Sequence, residues 1–136
     1  MTAKMTGRRG EHVVAAFLCS QGWHPIISDA DGYDIIATKN KSMVRVQVKA
    51  CGTPSRENSK RRRKYYRWTV GMGRRKQIGI PTDHYDILAL VALDVDLISF
   101  VKASDVNKKT YRIHPENVNE YNSVESWRAA VYEFTK

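Results

Sequence analysis

The sequence predicts an α+β domain, or an α/β/α sandwich, built around a mixed sheet. Three patterns lead there: a helical apolar stripe near the start, two strands joined by a short polar turn, and two apolar strands followed by a second helical pattern. At 136 residues the chain can bury one proper core, so residues 1–136 are expected to form a single domain.

Thr6 is expected to cap a helix running to about Gln21, with Gly22 as its terminator. Val13, Val14, Phe17 and Leu18 supply its apolar stripe. Residues 23–27 read as a short extended segment, and Pro25 favours a sheet edge because it has no N–H to donate. Residues 33–38 and 43–50 are expected to pair as a hairpin across the polar turn Lys39-Asn40-Lys41-Ser42. The second of these strands alternates, with Val44, Val46, Val48 and Ala50 on one side and Arg45, Gln47 and Lys49 on a polar side. Residues 65–70 have strand-prone composition, and residues 86–93 and 97–101 form apolar strands about the turn Asp94-Val95-Asp96. Asn122 with Glu125 resembles a capping box for a last helix that turns Trp127, Val131 and Phe134 inward.

Charge is distributed very unevenly. The formal net charge is +9, and residues 56–76 alone hold ten Lys/Arg against the single acid Glu57. The rest of the chain is therefore neutral. A surplus so confined is an electrostatic footprint for a polyanion, with nucleic acid the usual candidate. No lipidation signal or amphipathic basic helix points to a membrane instead. The first residues lack the apolar core of a signal peptide, and Asp94 and Asp96 interrupt the longest apolar region. Cys19 and Cys51 make neither a disulfide scaffold nor a CxxC zinc site, so a reduced, cytoplasmic protein is expected.

Within the basic block, Lys60, Arg61, Arg62, Arg63, Lys64, Arg67, Arg74, Arg75 and Lys76 are the expected phosphate contacts, while Trp68 packs. An inert solvated loop or an import signal are the other readings of residues 60–64. No base-edge reader stands out.

The chemistry is expected at Asp34, Gln47, Val48 and Lys49. Residues two apart on a strand share a face, roughly 6.5–7 Å apart, so Gln47 and Lys49 can face one point with Asp34 from the partner strand. Asp34 offers the hard oxygen that Mg²⁺ (or Mn²⁺) prefers, and Gln47 and the Val48 carbonyl offer neutral ones. A metal there lowers the pKa of a bound water and shields a phosphate, while Lys49 orients that water or offsets charge building on the phosphorus oxygens. Glu11 shares the stripe of Val14 and Leu18, where a carboxylate needs a partner. Two readings stand for it: a further metal ligand, or an ion-pair partner for Arg8 or another base near the helix start. Asp86 stands as either a supporting carboxylate of the site or a strand-edge acid, and His84 reads as structural.

Gly32-Tyr33-Asp34, twelve residues, then Gln47-Val48-Lys49 resembles the PD-(D/E)XK nuclease signature in its variant with Gln in place of the second acid. The Gly10-Glu11 helix matches the one that contributes an acid in many members. Val44-Arg45-Val46-Gln47-Val48-Lys49, followed by a basic, Tyr-containing segment and Tyr85-Asp86, is similar to the group I intron-associated branch. The resemblance covers roughly residues 7–115. It implies a restriction-endonuclease-like sandwich, Mg²⁺-dependent cleavage of double-stranded DNA, and a homodimer or higher homo-oligomer. Two departures stand out: Tyr33 where the signature has Pro, and the uncharged Gln47. A Holliday-junction resolvase of the same fold and a catalytically inactive DNA-binding module are the alternatives. An RNA-associated basic protein ranks last, since it leaves Asp34, Gln47 and Lys49 without a purpose.

Overall fold

Ala3, Lys4 and Met5 are good helix formers, and helix α1 (Ala3–Ser20) starts at them rather than at Thr6. In this computed structural model, which describes residues 2–28, 32–56, 63–70 and 82–136, Thr2 is the cap and its side chain accepts the Met5 N–H at 3.2 Å. Thr6 lies one turn in, and its hydroxyl donates back to the Thr2 carbonyl at 3.0 Å. The other end follows expectation. Gly22 takes φ +83°, its N–H reaches the Cys19 carbonyl, and the Trp23 N–H reaches that of Leu18.

Strands β1 (His24–Ile27), β2 (Ile35–Lys39), β3 (Ser42–Cys51), β5 (Ile87–Ala92) and β6 (Leu97–Lys102) form one mixed sheet in the order β1-β2-β3-β5-β6. A two-residue loop, Asn40-Lys41, joins β2 to β3, with Lys39 opposite Ser42. Only β3 and β5 run parallel; every other neighbouring pair in this sheet is antiparallel. Strand β1, with Pro25, lies at an edge as its composition requires. Strand β5 is buried at all six positions because both of its faces are covered.

One face carries both helices, α1 and α2 (Glu120–Val131). Val14, Leu18, Trp127 and Val131 pack there against Ile35, Val44, Val46, Val48, Ala89 and Phe100. The other face carries a two-stranded ribbon of β4 (Tyr66–Thr69) and β7 (Thr110–Ile113). Tyr66 and Trp68 pack there on Leu88, Leu90 and Ala92. The restriction-endonuclease-like sandwich with its mixed central sheet is thus present, with a β-ribbon as the second outer layer among the described residues. The reason lies in residues 66–69, whose period-2 alternation buries Tyr66 and Trp68 and exposes Arg67 and Thr69. Trp68 also satisfies its indole by donating to the Val91 carbonyl at 3.0 Å.

Helix α2 is capped by Asn119, which accepts the Asn122 N–H at 2.8 Å, so the cap lies three residues before the expected Asn122–Glu125 box. The side chain of Asn122 is engaged elsewhere, donating to the Asn117 carbonyl at 2.8 Å. The helix also seals the exposed edge of the sheet. Ser123 Oγ accepts the Ile98 N–H at 3.1 Å and Ser126 Oγ the Phe100 N–H at 3.0 Å. Those edge donors would otherwise be open to pairing with another chain. No helix among the described residues is long and apolar enough to cross a membrane.

Candidate active site

Strand β2 begins too late to pair with all of β3. The Val46 carbonyl takes the Asp34 N–H at 2.8 Å, and Ser28 donates its N–H to the Asp34 carbonyl at 2.8 Å, so the backbone of Asp34 is held from both sides. In an antiparallel ladder, alternate residues turn N–H and C=O toward the same neighbour, so Val48 is the next on β3 to face β2. No β2 residue remains to meet it. The side chain of Asp34 fills the gap, its Oδ2 accepting the Val48 N–H at 2.8 Å.

Burial, the largest influence on Asp34, holds its carboxyl above the ordinary carboxylate value. The Val48 N–H, the Lys49 ammonium and the Arg8 guanidinium pull it part of the way back.

Gln47, on the polar side of β3, is only 5% exposed because the face toward which it points is covered. Its Oε1 is buried with no hydrogen-bond partner among the described residues. Nε2 reaches the Val48 carbonyl only at 3.5 Å. An orphaned buried acceptor is costly, and so is a partly buried carboxylate. A hard divalent cation held by both groups would offset both costs. The donor set of Asp34, the Gln47 amide oxygen and the Val48 carbonyl fits such an ion.

Helix α1 approaches this point through Gly10. A Cβ there would stand 3.0 Å from Ala50 Cβ and 3.4 Å from Val48 Cγ1, so the missing side chain is what lets the helix backbone close on β3. Glu11 follows directly, with only 16% of its side chain exposed, and pairs with Arg8 at 3.1 Å. Arg8 thus acts on two carboxylates, Glu11 and Asp34. The ion-pair reading of Glu11 describes an observed contact. That Arg8 pairs with Glu11 follows from their i,i+3 spacing; that Arg8 also acts on Asp34 comes only from the fold.

The PD-(D/E)XK endonuclease profile matches residues 1–133. The chain belongs to the PD-(D/E)XK endonuclease family. Its fold is similar to that of a bacterial homing endonuclease, I-Ssp6803I, with a TM-score of 0.69 over 98% of this chain and 94% of that one, at 12% identity. No curated protein matches in sequence.

Within this PD-(D/E)XK chain the remaining candidates sort as follows. Asp86 is bound to Arg45: it accepts the Arg45 N–H at 2.7 Å, and the guanidinium at 3.2 Å on each carboxylate oxygen. This ion pair locks β3 to the entry of β5. His84 packs against Gly32, where φ is +96° and a Cβ would stand 2.7 Å from His84 Cβ. Only glycine fits ahead of Tyr33-Asp34 on both counts. Arg63, Lys64 and Arg67 are exposed. Lys60, Arg61, Arg62, Arg74, Arg75 and Lys76 lie outside the described residues.

Proposed function

We propose that this PD-(D/E)XK chain is a Mg²⁺-dependent endonuclease that hydrolyses phosphodiester bonds in double-stranded DNA, in the manner of a homing endonuclease. The observation that carries this reading is the buried Gln47 Oε1, without a hydrogen-bond partner among the described residues, on the residue next to Val48, whose N–H holds the Asp34 carboxylate. Asp34, Gln47 and the Val48 carbonyl would hold the ion, with Glu11 as a further ligand once it parts from Arg8. Mg²⁺, or Mn²⁺ in its place, supplies a polarised water and shields the phosphate when bound. Asp34 keeps its position through the Val48 N–H, which leaves Oδ1 for the ion. Lys49 places an ammonium where negative charge builds on the phosphorus oxygens. The exposed Arg63 and Lys64 bind phosphates along the duplex, Arg67 meets the DNA beside them, and the other basic residues of 60–76 also bind phosphates.

One such site cuts one strand, so double-strand cleavage calls for a homodimer or a higher homo-oligomer. Light scattering of the purified protein tests that part. The activity is tested by nicking of supercoiled plasmid in Mg²⁺. Wild type is expected to nick, and Asp34→Ala and Lys49→Ala to lose at least about 100-fold in rate. Variants that cut as fast as wild type would refute the assignment. A second reading, a DNA-binding module without activity, is favoured by the neutral Gln47. Duplex binding with no cleavage in Mg²⁺ or Mn²⁺ is its signature.

A further inference from the structure

The basic residues so far described explain adhesion to a polyanion but not choice of sequence. The β4–β7 ribbon has the features needed for that choice. In its antiparallel register Arg67 stands opposite Arg112, and Thr69 opposite Thr110. Alternation turns Tyr66 and Trp68 to the core, leaving Arg67, Thr69 and Arg112 exposed on the outer face. The ribbon is anchored at two points on its inner side: Trp68 Nε1 to the Val91 carbonyl at 3.0 Å, and the Tyr66 hydroxyl to Asp94 Oδ1 at 2.7 Å. Exposed cations bracket it along its length, Arg63 and Lys64 where β4 is entered and Lys108 and Lys109 where β7 is entered.

We propose that this ribbon enters the major groove of duplex DNA, with Arg67 and Arg112 as a base-reading pair and Thr69 and Thr110 beside them. The inference rests on the duplex-substrate reading above and adds the element that selects sequence. Two strands about 5 Å apart fit a groove about 12 Å wide, which admits a two-stranded ribbon. An arginine fork bonds the O6 and N7 of guanine together, which the point charge of a lysine reproduces poorly. The flanking cations lie where the phosphates on the groove walls pass. By strand alternation Gln47 and Lys49 point away from Val48 and the helices, toward the face that carries the ribbon. Gln47, Lys49 and the ribbon therefore lie on one side of the central sheet.

A pool of randomised 24-base-pair duplexes, bound without divalent metal and sequenced before and after capture, tests this. Wild type is expected to enrich a motif containing guanines. Arg67→Lys and Arg112→Lys should each lose preference at one or two of those positions. Each should also bind the enriched duplex about tenfold more weakly, with the salt dependence unchanged because the charge is kept. The proposal is overturned if the Lys variants enrich the wild-type motif with wild-type affinity. It is also overturned if Arg67→Ala and Arg112→Ala weaken all duplexes equally and lower the salt slope by about one, the mark of a phosphate contact. Capture by wild type without any enrichment sinks the ribbon assignment alone. Failure of wild type to retain duplex at all sinks the substrate reading along with it.

Discussion

Asp34 Oδ2 accepts the backbone N–H of Val48 at 2.8 Å, so a side chain of one strand completes the ladder of its neighbour. The acid is thereby placed by backbone geometry, without depending on any other side chain. The same contact leaves its charge in a partly buried position, and four expectations follow from this and the surrounding packing.

The first concerns pH. The Asp34 carboxyl titrates above its ordinary value of 3.8 in the folded protein, with burial the main cause. The folded state therefore holds this proton more tightly than the unfolded one. Its stabilising contribution is complete below about pH 3.8 and is lost as pH rises through the folded value. Asp34→Asn keeps an acceptor for the Val48 N–H and removes the charge. At pH 7 without metal it should melt higher than wild type, and the difference should shrink toward pH 4. Ca²⁺ should raise the wild-type melting temperature and leave that of Asp34→Asn unmoved. A variant that melts lower than wild type at neutral pH would contradict this account.

The orphaned oxygen of Gln47 makes a second expectation. Leaving a buried acceptor unpaired costs about 1–3 kcal/mol. Gln47→Met, similar in shape and without the oxygen, should stabilise the metal-free protein by about 1–2 kcal/mol and abolish nicking. Gln47→Glu should do the reverse, destabilising the metal-free protein and tightening divalent-ion binding. Urea denaturation and Ca²⁺ calorimetry read the two effects separately. Equal stability for all three proteins would show that the oxygen is satisfied.

Two glycines of α1 serve as each other's control. A Cβ at Gly10 meets Ala50 at 3.0 Å, whereas one at Gly7 meets nothing within 4 Å. Gly10→Val should cost about 1–3 kcal/mol through overpacking, and also slow nicking by moving Glu11. Gly7→Ala should gain about 0.5–1 kcal/mol from helix propensity and leave nicking unchanged. Melting curves paired with plasmid assays decide both.

The sealed sheet edge supplies a fourth expectation. Ser123→Ala and Ser126→Ala each strip an acceptor from an N–H of β6 and should each cost about 1–3 kcal/mol. The double variant should also self-associate, since it reopens the edge for pairing. Urea titration and size-exclusion chromatography measure the two outcomes. Unchanged stability would mean that water replaces the serines at no cost.

Much of this protein is legible from local pattern alone. Val14 and Leu18 of the apolar stripe mark the buried face of α1, and Gly22 ends it because a left-handed residue is needed there. Alternation placed the strands of the hairpin, and it set Gln47 and Lys49 on one face of β3. The spacing of Asp34 from Gln47-Val48-Lys49 carried the family. Where local reading missed, two local options competed. Thr2 and Thr6 are equally good caps by type, as are Asn119 and Asn122, and the helix formers ahead of Thr6 and the engagement of Asn122 with Asn117 decided between them.

What only the tertiary structure decided depends on which layer covers which face. Alternation says that Gln47 points away from Val48, but not that a ribbon drawn from residues 66–69 and 110–113 covers that side. Burial makes the Gln47 Oε1 an acceptor without a partner among the described residues. It likewise pairs Arg45 with Asp86, 41 residues apart in sequence. Periodicity reports which side of its own element a residue occupies. The environment on that side is set by chain segments far away in sequence, and that environment settles the energetics of Asp34, Gln47-Val48-Lys49 and Glu11.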